Sequence, residues 1–245
     1  METNEIKYAI PKIIHYTFKT NILPQNIIDV IDHNKRICHD FEFIFYDDNA
    51  IDEFIKNNFN DITYNAFKNI NDKLGAMKAD FFRYCILYII GGVYIDIKSK
   101  INFPLRKIIH PNDICILDIP RNNLERWRRY SQTHEQWLLI FAPKHPYLLT
   151  MINLMVHYIN NKYEPKINGI KILNTKEKIL NITGPDAFTR SINYYLITTK
   201  NNKIRFHRCI DYLKYFQLNG VYDYKNMYTL NGTKHYSEIN EPLYK

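Results

Sequence analysis

The sequence predicts an α/β domain with a largely parallel sheet flanked by helices. Two observations carry that reading. Short apolar or alternating runs recur at residues 10–18, 41–46, 93–97, 113–119 and 136–142, and several are separated by stretches with apolar residues at helical spacing. No internal repeat, low-complexity tract or Pro/Ser-rich linker interrupts them, so residues 1–245 are read as one domain.

Residues 10–18 (IPKIIHYTF) are a short apolar run and read as the first buried strand. Residues 24–38 place Ile27, Ile28, Ile31 and Ile37 among charged residues, the pattern of an amphipathic helix. Residues 41–46 (FEFIFY) are a second strand ending at Asp47-Asp48, and residues 50–57 and 63–70 are short helices. Residues 73–89 carry Leu74, Met77, Phe81, Tyr84, Cys85 and Tyr88 at helical spacing and stop at Gly91-Gly92. A β-branched and aromatic strand follows at 93–97. Strands at 113–119 and 136–142 and helices at 146–160 and 185–198 complete the pattern, while 200–214 and the tail give no clear signal. Ligands of such sheets bind at the carboxyl ends of the strands, here Phe18, Asp47-Asp48 and Asp96.

Composition narrows the function classes. The 33 Lys and Arg against 25 Asp and Glu give a net charge of +8, which suits an anionic partner: nucleic acid, a membrane surface or a phosphorylated small molecule. The only local concentration is Arg121, Arg126, Arg128 and Arg129 with Trp127 and Tyr130, a mixture that nucleic-acid binders and sugar sites both use. No RRM, KH or helix-turn-helix pattern accompanies it, so nucleic acid is not the expected partner. Cys38, Cys85, Cys115 and Cys209 form no CxxC or Cys/His zinc pattern and fit a reducing compartment. Met1 to Tyr8 is polar, unlike a signal peptide. The longest apolar stretch, residues 85–97, is shorter than the roughly 20 residues a membrane span needs. A soluble protein is expected, cytoplasmic or, for a virus, of the host cytoplasm or virion. There is no G-x-S-x-G elbow and no Walker A sequence.

The most informative segment is residues 76–100, AMKADFFRYCILYIIGGVYIDIKSK. Asp80 and Arg83 stand one helical turn apart, and the double glycine leads into a strand whose end presents Asp96. Carboxylates there can accept hydrogen bonds from sugar hydroxyls or hold a cation, and Arg offers a planar fork to phosphate. The same spacing equally describes a surface ion pair of little energetic weight.

That segment resembles the sugar-binding DxD region of glycosyltransferase family 32, including yeast-type α-mannosyltransferases, and the catalytic domains of the large clostridial glucosylating toxins. Ala76, Lys78, Asp80, Arg83, Tyr84, Leu87, Tyr88, Gly91, Gly92, Tyr94 and Asp96 occupy matching positions. Further matches are Ile10-Pro-Lys-Ile-Ile-His15 with Phe18, Phe41 to Asp48, Ala142-Pro-Lys-His-Pro146, Thr183-Gly184-Pro185 and His235, so the likeness runs from about Pro11 to His235.

The resemblance implies a GT-A fold and a retaining transfer of a hexose from a nucleoside diphosphate sugar, UDP-sugar or GDP-mannose, to a hydroxyl of a glycan, protein or lipid. It implies catalytic roles for Asp96, Arg83 and Asp80 and donor contacts from Phe18, His15, Tyr94 and Lys98, with Asp80 and Arg83 on the sugar. It also implies a divalent cation, manganese, held by Asp96 and His235. One departure matters: Lys98 stands where the motif has its second Asp. An ammonium donates and cannot ligate a cation. Three outcomes are open: a metal held by Asp96 and His235, a metal-independent enzyme in which Lys98 neutralises the diphosphate, or a degenerate site. A non-catalytic sugar-nucleotide or glycan-binding protein of the same fold is therefore the alternative, and a basic nucleic-acid-binding module ranks below it.

Overall fold

The computed structural model describes residues 7–119, 121–122, 132–167, 169–199, 207–218 and 238–245. Along the chain run β1 (Ile13–Thr17), α1 (Gln25–Ile37), β2 (Glu42–Tyr46), α2 (Asp48–Asn58), α3 (Asp61–Lys68), α4 (Gly75–Ile89), β3 (Gly92–Ile95) and β4 (Lys100–Ile101). Then come β5 (Cys115–Asp118), β6 (Arg121–Asn122), β7 (Gln132–Thr133), β8 (Leu138–Phe141), α5 (Pro146–Asn160), β9 (Lys166–Ile167) and β10 (Ile170–Lys171). The last elements are α6 (Thr175–Ile182), α7 (Pro185–Thr198), β11 (Arg208–Ile210) and β12 (Phe216–Gln217).

Six strands form the main sheet in the order β11-β5-β8-β3-β1-β2. β1 pairs in parallel with both β2 and β3, and β11 pairs in parallel with β5. β8 runs against β3 on one side and β5 on the other. The expected largely parallel sheet is therefore present, with one reversed strand near its middle.

Side chains alternate across the sheet with the period of two that strands impose. Tyr94, Leu117, Leu139 and Phe141 pack toward α2 to α7, whereas Ile14, Tyr16, Val93, Ile95, Ile116, Leu138 and Ile140 pack toward α1, Leu105 and Phe216. The sheet thus lies between two apolar layers. α4 is buried on nearly all sides, with Asp80 to Leu87 an unbroken buried run, so it is a central helix rather than an amphipathic surface one.

Local chemistry sets the ends of the helices. Asp47 caps α2 by accepting the Ala50 N–H at 2.8 Å, Asn60 caps α3 through Thr63 at 3.0 Å, and proline opens both α5 and α7. The strand expected over 93–97 ends at Ile95, because Asp96 to Ser99 form a turn in which the Ser99 N–H donates to the Asp96 carbonyl at 2.8 Å. α6 and β11 were not expected from the sequence. Among the described residues no helix is long and apolar enough to cross a membrane.

Candidate active site

The carboxyl ends of β1, β2 and β3 share one edge of the sheet, and because β8 is reversed its amino end reaches the same edge. Phe18, Asp47, Asp96 and Gln136 therefore converge there from four distant stretches of chain. Phe18 follows β1, donates its N–H to the Tyr46 carbonyl at 3.2 Å and is half-buried against the α1-side core.

α4 brings Asp80 and Arg83 to this edge. Contrary to the surface-pair reading, both side chains are buried, at 7% and 6% exposure. Arg83 Nη2 lies 3.0 Å from Asp80 Oδ1 and 3.3 Å from Asp96 Oδ1. Its Nη1 donates to the Gln136 carbonyl at 2.6 Å, and the guanidinium sits 4.6 Å over the Tyr94 ring. Arg83 Nε is buried and has no hydrogen-bond partner among the described residues. Asp96, 25% exposed, is the outward end of this chain of contacts.

Asp80 is held from two further directions, one of them itself braced by Tyr84. Gln136 Nε2 donates to its Oδ1 at 3.0 Å, Thr183 Oγ1 donates to its Oδ2 at 3.0 Å, and Tyr84 donates its hydroxyl to the Gln136 side-chain oxygen. Burial pushes the Asp80 carboxyl up, to about 6, against the opposing pull of Arg83 and Thr183, which leaves it mostly ionised at neutral pH. Gln136 entered the sequence reading only as the start of a strand, Tyr84 only in the helical stripe and the family match, and Thr183 only within the Thr-Gly-Pro match. A polar Gln immediately before the apolar run Trp137 to Ala142 is the one sequence signal that pointed to this position.

The other expected site residues fall into place as follows. Tyr94 is buried beneath Arg83 and shares a 2.7 Å hydrogen bond with Thr17 Oγ1. His15 is wholly buried; its Nε2 donates to the Gly91 carbonyl at 2.9 Å and its Nδ1 faces the Tyr46 hydroxyl at 3.3 Å. It supports the Gly91-Gly92 turn from within the core. Lys98 is partly exposed in the turn after Asp96. Asp47 is occupied as a helix cap. His235, Arg126, Trp127, Arg128, Arg129 and Tyr130 lie outside the described residues, and of Arg121 only the backbone is described, in β6.

Of the two residues that the family resemblance implies for a cation, Asp96 stands at this edge and His235 lies outside the described residues. No group of three His, Cys, Asp or Glu able to hold a metal ion occurs among the described residues. Arg83 Nη2 lies against one oxygen of the Asp96 carboxylate, Oδ1, and Lys98 stands where the motif has its second Asp. A concavity that includes Asp48, Asp52, Glu53 and Lys78 does not include Asp96.

Residues 24–114 match the family described as "Glycosyltransferase sugar-binding region containing DXD motif", which bears out the resemblance over that segment. The chain is 29% identical over 161 residues to inositol phosphoceramide mannosyltransferase 3 of Schizosaccharomyces pombe, covering 64% of this chain and 40% of that one. It is 27% identical over 207 residues to mannosyl phosphorylinositol ceramide synthase CSH1 of Saccharomyces cerevisiae, covering 83% and 48%. The chain therefore spans less than half the length of these curated relatives. In three dimensions it is similar to the UDP-bound glycosyltransferase domain of the YGT toxin, with a TM-score of 0.55 at 9% identity over 89% of this chain and 85% of that domain. PaToxG glycosyltransferase gives 0.53 at 13% identity, over 79% and 72%. These likenesses establish the expected GT-A fold.

Proposed function

We propose that this chain, which carries the DXD sugar-binding region on a GT-A fold, is a glycosyltransferase that takes a hexose from a nucleoside diphosphate sugar. It delivers the hexose to a hydroxyl of a glycan, protein or lipid with the α configuration retained. The observation that carries the reading is Asp96, a partly exposed carboxylate at the ligand-binding edge of the sheet with a buried Arg83–Asp80 pair directly behind it. The relatives named as mannosyltransferases favour GDP-mannose, and the UDP-bound structural neighbour favours a UDP-sugar.

In this reading Asp96 accepts hydrogen bonds from hydroxyls of the donor, and Arg83 sets the orientation of that carboxylate. Phe18, at the mouth of β1, stacks on the nucleobase. Lys98 supplies a point charge to the departing diphosphate, where negative charge develops. His15 and Tyr94 act from beneath, one holding the Gly91-Gly92 turn and the other the Arg83 plane. No step is assigned to manganese, because of its two implied ligands only Asp96 is described. Lys98 also motivates a second reading, a sugar-nucleotide-binding protein without turnover.

A thermal-shift screen of GDP-mannose and UDP-hexoses tests donor binding, because a ligand of the native state raises stability by RT ln(1 + [L]/Kd). Release of nucleoside diphosphate, or transfer of labelled hexose, then separates the enzyme from the binding protein. Stabilisation without product supports the second reading. Neither stabilisation nor product overturns both.

A further inference from the structure

We propose that Thr183, Gln136 and Tyr84 are positioning residues for this transfer: they fix the Asp80 carboxylate so that it holds Arg83 against Asp96. The inference rests on the glycosyltransferase reading and extends it to Tyr84 and to two residues, Gln136 and Thr183, far along the chain from the DXD segment.

The geometry begins with Asp80. Its Oδ1 accepts from Arg83 and Gln136 and its Oδ2 from Thr183, so both oxygens are occupied inside the protein. At 7% exposure it offers little surface to a ligand, and its influence on Asp96 passes through Arg83. Arg83 in turn is the ion-pair partner of Asp96, bridging Asp80 and Asp96 through one nitrogen, Nη2.

Each remaining contact removes a freedom from that bridge. Burial pushes the Tyr84 hydroxyl well above its usual pKa, so it stays protonated and donates to the Gln136 side-chain oxygen. That fixes which end of the amide faces Asp80: rotated by half a turn, Gln136 would present its oxygen to a carboxylate. The Gln136 backbone carbonyl meanwhile holds Arg83 Nη1. Thr183 is set by the junction of α6 and α7, where a side chain at Gly184 would bring a Cβ to 2.5 Å from the Leu180 Cα. The result is a carboxylate–guanidinium–carboxylate relay anchored from three segments, with Asp96 as its exposed end. A purely structural core would be served as well by apolar residues of similar volume; the relay instead ends on Asp96, a partly exposed carboxylate at the carboxyl edge of the sheet.

Turnover of the full chain with its best donor, measured for wild type, Thr183→Val and Thr183→Ser, tests the proposal. Loss of the hydroxyl at nearly constant shape should lower kcat by about tenfold or more while donor KM changes by less than about threefold. Thr183→Ser should restore kcat to within about threefold of wild type. Because the Thr183 hydrogen bond favours the ionised Asp80, the acid limb of the kcat–pH profile should move to higher pH in Thr183→Val. Adding Thr183→Val to Asp80→Asn should cause no further loss, as expected of residues acting as one unit. Should Thr183→Val fail to fold, Tyr84→Phe makes the same test through Gln136. Wild-type kcat and an unmoved acid limb in the folded variants overturn the proposal and leave the glycosyltransferase reading standing. Absence of turnover in the wild type itself overturns both.

Discussion

The Nε2 of His15 lies 2.9 Å from the carbonyl oxygen of Gly91, 76 positions further along the chain. The bond ties β1 to the turn that delivers Asp96. Burial of the same imidazole makes the turn sensitive to acid. Burial holds the His15 pKa down, to about 4, although the Gly91 bond favours its charged form. A folded-state pKa below the unfolded value of about 6.5 means that protonation favours the unfolded chain. The associated stability, on the order of 3 kcal/mol, is complete above pH 6.5 and is lost as pH falls toward 4. Denaturant titrations at pH 7.0 and 4.5 should show a smaller loss in His15→Gln, which cannot take up that proton. Equal losses in the two proteins would assign the acid sensitivity elsewhere.

Gly92 should tolerate no side chain. Its φ is +100°, and a Cβ would stand 2.6 Å from the Ile13 carbonyl oxygen. Gly92→Ala should destabilise by about 2 kcal/mol or more, since both strain and backbone displacement are imposed. Gly75, in the first turn of α4, has nothing within 4 Å of a built Cβ, so Gly75→Ala should be neutral or stabilising by up to about 1 kcal/mol. Melting temperatures of the two variants make the comparison, and equal behaviour would contradict it.

Asp96→Asn should remove turnover and spare the fold. The substitution keeps the shape while removing the partly exposed charge at the edge of the sheet. Donor turnover should fall by about 100-fold or more. Melting should shift only slightly, because the side chain is 25% exposed and its ion pair is partly solvated. Turnover within a few-fold of wild type would remove Asp96 from the site.

The Asp80–Arg83 pair should behave as a buried pair in folding. Arg83→Leu leaves the Asp80 charge uncompensated and should cost about 3–5 kcal/mol, against less than about 1 for an exposed pair. Asp80→Leu combined with Arg83→Leu should cost clearly less than the sum of the single changes. Urea titrations of the three variants decide. Strict additivity would show that the two charges do not interact.

Manganese should bind the wild type weakly, because Lys98 replaces a carboxylate with an ammonium beside Asp96. Lys98→Asp should tighten binding by about tenfold or more in calorimetric titrations. Unchanged affinity would place Lys98 away from any cation.

Much of the architecture was legible in the sequence, because strands and helices carry their own periodicities. The bounds expected for α5 and α7, residues 146–160 and 185–198, coincide with those observed, since proline marks both starts. α6 escaped notice because its only buried aliphatic residues are Ile179 and Ile182, too few for a visible stripe. Asp80, Arg83 and Asp96 stood out through the DXD segment, but their burial did not. Local spacing places two charges on one helix face and says nothing of what covers them. Here the cover comes from Gln136 and Thr183, 56 and 103 positions from Asp80. Long-range satisfaction of a charge leaves no local trace.

β8 has a consequence for the nascent chain. Among the described pairings, β3 and β5 meet only through it, so until residues 138–141 dock the sheet consists of two separate leaves. In a growing polypeptide β1, β2 and β3 can associate early, but they then offer a bare, apolar β3 flank of Val93, Tyr94 and Ile95 to any strand nearby. Synthesis proceeds at roughly 5–20 residues per second, so that flank stays open for about 2–9 seconds before Phe141 is made. A chain cut at residue 114, where the DXD match stops, would keep it open permanently and should aggregate. The same strand that closes the sheet thus guards against self-association during biosynthesis.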